Sequence, residues 1–121
     1  MSEHYTILIA DDSAAQRKVL ELFLKDYSVL SAEDGQDALE LLETCEPHLF
    51  IFDVNMPFVK GTDLCQQVKA QARFKNTPVI ILTSQNDPET RNAVETAQAD
   101  LLMIKPVSGS SLKENVARLL N

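Results

Sequence analysis

The chain has 121 residues, of which 45% are hydrophobic and 24% charged, with a net charge of −7 and only three glycines and two cysteines. This is the size and composition of one globular domain, here residues 1–121, and it excludes disordered, collagen-like and disulfide-framework classes. The negative charge opposes phosphate backbones and anionic lipid, so neither direct nucleic-acid binding nor membrane insertion is expected.

Along the chain the start, Met1-Ser2-Glu3-His4, has no basic or apolar leader pattern, which predicts a cytoplasmic protein. A first apolar run, Ile7 to Ala10, ends in Asp11-Asp12. Ser13 to Gln16 then reads as a capping box opening a helix whose Val19, Leu20, Phe23 and Leu24 share a face. The more polar segment Ser28 to Ala32 suits a strand nearer an edge. A second helix is expected from Gly35 to Cys45.

The next apolar run, Leu49 to Phe52, ends in Asp53, and a third helix is predicted from Thr62 to Ala72. Val79 to Leu82 ends in Thr83-Ser84, followed by Asp87-Pro88, a cap and first-turn proline for a fourth helix. Leu101 to Ile104 ends in Lys105, and Ser111 with Glu114 reads as a capping box for a last helix carrying Leu112, Val116, Leu119 and Leu120. Four continuous apolar runs signal strands covered on both faces, the mark of a parallel sheet. The pattern is (βα)5, an α/β domain with three layers and a doubly wound parallel sheet.

Functional groups of such a sheet collect beyond the carboxyl ends of its strands. Asp11, Asp12, Asp53, Thr83, Ser84 and Lys105 all fall there. Two carboxylates 4 Å apart repel by about 4 kcal/mol at an effective dielectric near 20, so the three acids need compensation. Lys105 supplies one charge and a divalent cation would supply the other two. Mg2+ suits an all-oxygen donor set. Acids, a lysine and a hydroxyl around Mg2+ are the parts of phosphoryl transfer, in which an aspartate can be the nucleophile. The cysteines Cys45 and Cys65 are widely spaced and read as apolar helix residues; His4 and His48 are isolated and suggest no metal site.

The run Ile9-Ala10-Asp11-Asp12, then Asp53-Val54-Asn55-Met56-Pro57 with Gly61, then Thr83-Ser84, then Lys105-Pro106, resembles the receiver domain of two-component response regulators, over the whole chain. The resemblance implies a flavodoxin-like sheet of order 2-1-3-4-5. It implies that Asp53 takes a phosphoryl group from a phosphohistidine on a sensor histidine kinase or histidine phosphotransfer protein. Asp12, Asp53 and the backbone carbonyl of Asn55 would hold Mg2+, with Asp11 holding metal-bound water. Thr83 and Lys105 would contact phosphoryl oxygens, and the peptide before Pro106 would be cis. Phosphorylation would then alter affinity for an output protein or downstream domain; the chain would catalyse only its own phosphorylation and dephosphorylation. No output domain follows in this sequence, so it reads as a free-standing regulator or a receiver taken from a longer protein.

Two positions depart from the family pattern. Leu102 stands where the family carries a switching aromatic and reads either as a lost relay or as simple core; Val107 replaces a commoner aromatic. Asn55 and Gln85 occupy positions that tune acyl-phosphate lifetime in the family. A docking scaffold without phospho-switching is therefore the alternative. A phosphatase acting on a separate substrate would want an acid where Asn55 stands, and a flavin carrier would want a phosphate-cradling first loop in place of Asp11-Asp12.

Overall fold

The computed structural model describes residues 4–121; Met1–Glu3, part of the segment read as lacking a leader, lie outside the described residues. Five strands, β1 (Thr6–Ala10), β2 (Ser28–Ala32), β3 (Leu49–Asp53), β4 (Val79–Thr83) and β5 (Leu101–Ile104), alternate with helices α1 (Ala14–Phe23), α2 (Gly35–Leu41), α3 (Gly61–Lys69), α4 (Pro88–Thr96) and α5 (Gly109–Leu120). All strand pairs are parallel and the order is β2-β1-β3-β4-β5. This is the flavodoxin-like topology expected.

Side chains alternate across each strand, and that alternation builds two cores. Leu8, Ala10, Phe50, Phe52, Val79 and Ile81 face α2, α3 and α4 through residues such as Ala38, Leu64, Val68 and Val94. Ile7, Ile9, Leu49, Ile51, Ile80 and Leu82 face Leu20 of α1 and Leu112 and Val116 of α5. Burying apolar area on both faces at roughly 25 cal/mol per Å² is the main force holding the layers together.

Helix starts follow their caps. Ser13 Oγ accepts from Gln16 N–H at 3.2 Å, Asp34 Oδ1 from Asp37 N–H at 2.8 Å, and Asp87 Oδ1 from Thr90 N–H at 2.7 Å. The fifth helix departs from expectation. It begins at Gly109, and Ser108, not Ser111, is its cap, accepting from Ser111 N–H at 3.1 Å. Several serines offer equivalent capping chemistry here; packing decides, because Gly109 lies so close to the Phe23 ring that a Cβ would stand 2.8 Å from it.

Three further expectations are corrected. Val19 does not share the buried face of Leu20 and is 41% exposed, since it lies one residue, about 100° of helix turn, from that face. The second helix stops at Leu41, where Arg73 Nη2 donates to the Leu42 carbonyl at 2.6 Å and satisfies a helix-end acceptor; the third runs Gly61–Lys69 and hands over to a 3₁₀ turn at Ala72–Phe74. Finally, the apolar run Leu101–Ile104 is only partly covered, Leu102 packing against one core and Leu101 and Met103 against the other. It forms an edge strand paired only to β4, its first three residues half-buried and Ile104 40% exposed.

Candidate functional site

The carboxyl ends of β1, β3, β4 and β5 converge on one edge of the sheet. One carboxylate oxygen from each of Asp11, Asp12 and Asp53 lies within 4.8 Å of the others. Lys105, immediately after β5, reaches over the end of β4 so that its Nζ stands 3.1 Å from Asp53 Oδ1 and 3.5 Å from Asp11 Oδ2. The Lys105–Pro106 peptide is cis, as expected.

Each side chain has a local reason for its place. Asp11 is 1% exposed; its Oδ1 accepts from Ser13 N–H at 2.9 Å, and its Oδ2 is buried without a hydrogen-bond partner. Asp12 is exposed and free of capping duty, because Ser13 caps α1. Asp53 ends β3, whose every residue is buried. Gly61 makes this possible. A Cβ on Gly61 would stand 2.1 Å from the Asp53 carbonyl oxygen, and the Gly61 N–H donates to the Val54 carbonyl at 2.9 Å, closing the loop after the strand. Thr83 is fully buried at the end of β4, and its Oγ1 accepts from Gln85 N–H at 3.0 Å. A hydroxyl that accepts there still has a hydrogen to donate.

Burial pushes the Asp53 carboxyl above its ordinary range; Asp11 and Asp12 push the same way, while the hydrogen bond and charge of Lys105 pull it down. Three clustered acids with one cation leave excess negative charge, and the buried Oδ2 of Asp11 has the Lys105 ammonium at 3.5 Å but no hydrogen bond. The donor set is all oxygen. These residues fit a hard divalent cation on that ground.

Asn55 and Gln85 line a polar depression that includes Val54, the residue after Asp53, together with Lys60, Thr62 and Thr90. Ser84 is exposed. Leu102 is half-buried against the core cluster on the α2–α3–α4 face, and Val107 packs against the opposite cluster. Arg17 escaped the sequence reading: its Nη1 donates to the Asp11 backbone carbonyl at 2.7 Å, fixing the acid-bearing turn from one turn up α1. The signal was an arginine six residues after Asp11, on the helix that follows. Cys65 is buried and its Sγ donates to the Ala97 carbonyl at 3.3 Å; His48, exposed, accepts from Thr6 N–H on Nδ1 at 3.0 Å. Both do structural work, as their isolation suggested.

The chain matches the family described as response regulator receiver domain over residues 7–117. It belongs to that family. A two-component response regulator of Arabidopsis thaliana, ARR17, is 34% identical over 135 residues, covering 100% of this chain and 88% of the relative. The probable transcriptional regulator ycf27 of Porphyridium aerugineum is 33% identical over 116 residues, 94% of this chain but only 47% of its own length, so the receiver chain spans about half of that relative. The crystal structure of a putative response regulator from Chloroflexus aurantiacus superposes with a TM-score of 0.92 at 32% identity, over 98% of both chains. Among the described residues of the receiver domain, no helix is long and apolar enough to cross a membrane.

Proposed function

We propose that this receiver domain is a cytoplasmic phosphoacceptor of a two-component or phosphorelay system, with Asp53 as the acceptor. The observation that carries the reading is the position of the Asp53 carboxylate, 3.1 Å from the Lys105 ammonium and grouped with two further acids at the strand ends. An Asp53 oxygen attacks the phosphorus of a phosphohistidine on a sensor histidine kinase or histidine phosphotransfer protein. The O–P bond forms as the P–N bond breaks, and the imidazole leaves with the electron pair of that bond.

Lys105 holds Asp53 oriented and balances charge on a phosphoryl oxygen; the Thr83 hydroxyl donates to another. Asp11, Asp12, Asp53 and the Asn55 backbone carbonyl would hold Mg2+, which when bound supplies positive charge to the phosphoryl oxygens. The chain acts on its own carboxylate and turns over no separate substrate. Phosphorylation adds charge at one point and changes affinity for an output protein or downstream domain.

Incubation with acetyl phosphate and Mg2+ tests the chemistry: a hydrolytically labile mass gain of one phosphoryl group is expected, absent from Asp53→Asn. Leu102 favours one second reading, a docking scaffold, because it is half-buried against the core and has no ring to turn. A beryllofluoride phosphoryl mimic that changes partner affinity supports switching; unchanged affinity supports the scaffold.

A further inference from the structure

The loop between β3 and α3 begins one residue after Asp53 and is held down by three aliphatic side chains. Val54 and Met56 are buried, and Val59 packs against the core, with its Cβ only 2.7 Å from where a Cβ on Gly35 would stand. Phe58 alone among these apolar residues turns outward. It is 84% exposed, and its φ of 71° lies in the left-handed region that bulky side chains rarely enter. The Val59 N–H donates to the Pro57 carbonyl at 2.8 Å, which with that φ makes Phe58 the centre of a γ-turn of the rare, strained hand.

Two unfavourable features therefore meet in one residue, an aromatic ring in water and a backbone suited to glycine or asparagine. Backbone outliers held by surrounding packing concentrate at functional sites. We infer that Phe58 is the apolar anchor by which a phosphohistidine-bearing protein docks on this face. The inference rests on the phosphoacceptor reading, since a donor that brings phosphorus to Asp53 must cover the strand-end rim where this loop stands.

Charge defines the rest of the complementary surface. Val59 seats the loop on the start of α2, where Glu33, Asp34 and Asp37 are acidic; Asp12 is exposed at the neighbouring strand end, and Lys60 is a cation two residues after the ring. With a chain charge of −7, the occupant is a donor protein with an apolar recess bordered by lysine or arginine side chains.

The test compares wild type, Phe58→Ala, Phe58→Asn and Phe58→Leu with two donors. One is acetyl phosphate; the other is the histidine kinase of the source genome that phosphorylates the wild-type chain fastest. Phe58→Ala and Phe58→Asn are expected to raise the KM for the kinase about tenfold or more while leaving the acetyl phosphate rate unchanged. Phe58→Asn should at the same time melt higher than wild type, and Phe58→Leu should recover much of the transfer. Equal kinase KM across the series overturns the inference, as does a parallel loss with both donors, or a wild-type dimer that Phe58→Ala dissociates. A wild-type chain that takes no phosphoryl group from acetyl phosphate refutes the phosphoacceptor reading instead, and the inference falls with it.

Discussion

Lys105 Nζ stands 3.1 Å from Asp53 Oδ1 although the strands that precede and carry them, β5 and β3, are separated by β4. A four-carbon side chain spans the end of the intervening strand, whose last residue is the buried Thr83, and ends at Asp53, with Asp11 slightly farther away at 3.5 Å. On the proposed function, replacing Lys105 with alanine would remove the cation that balances charge on a transferred group. The rate of phosphorylation by acetyl phosphate should fall by about 10²-fold, the scale of losing one preorganised charge partner. Stopped-flow or mass-spectrometric time courses at saturating Mg2+ would measure it, and an unchanged rate would show that Lys105 is only an ion-pair partner.

The raised Asp53 carboxyl has a thermodynamic consequence of definite sign. Its folded value lies above the ordinary 3.8, so its favourable contribution is complete below that pH and is lost as pH rises through the folded value. At neutral pH the charged carboxylate therefore burdens the folded state. In chelator, Asp53→Asn should be more stable than wild type by about 1–2 kcal/mol, and the gap should close as pH falls towards 4. Adding Mg2+ should reverse the order, because a cation bound there would stabilise the wild-type site by about 2.7 kcal/mol at a hundredfold excess over its Kd and would lose a ligand in the variant. Thermal melts over a pH series with and without Mg2+ would decide it.

Gly61 has no room for a side chain. A methyl group there would stand 2.1 Å from the Asp53 carbonyl oxygen, a backbone atom that cannot swing away. Gly61→Ala should cost about 2–4 kcal/mol and lower Mg2+ affinity as well, since relief of the clash must move the backbone of the acceptor. Chemical denaturation together with Mg2+ titration separates the two effects.

Cys65 is set apart from the reactive face of the molecule. Burial pushes its thiol up from 9.0 to about 11, with Lys69 opposing and Asp100 adding to the shift. The unfolded thiol ionises first, so wild type should lose stability relative to Cys65→Ala between about pH 9 and 11. A thiol reagent at neutral pH should label Cys45, which is only half-buried, and reach Cys65 only on unfolding.

Strand positions and the strand-end residues were legible because both obey short-range rules: apolar runs of four residues, then a polar residue at the carboxyl end. Asp11, Asp12, Asp53, Thr83 and Lys105 needed only the topology to be brought together. What the linear sequence hid was set by tertiary packing. Ser108 and Ser111 offer the same capping chemistry, and only the contact of Gly109 with Phe23 selects between them. The run Leu101–Ile104 is as apolar as the fully buried strands, yet it is only partly covered, because it ends the sheet and has a neighbour on one side only. Arg17 reaches a backbone carbonyl, a partner that no side-chain motif records. Phe58 had no signal at all, because exposure of one aromatic and the hand of one turn follow from how Val54, Met56 and Val59 are buried around it.

The central claim is that Asp53 carries the phosphoryl group. Borohydride reduction of the acetyl-phosphate-treated protein converts an aspartyl phosphate to homoserine and leaves free carboxylates intact, so peptide mass mapping reads the position directly. Homoserine at position 53 alone is the predicted result. Homoserine at position 11 or 12, or at none, would contradict the account.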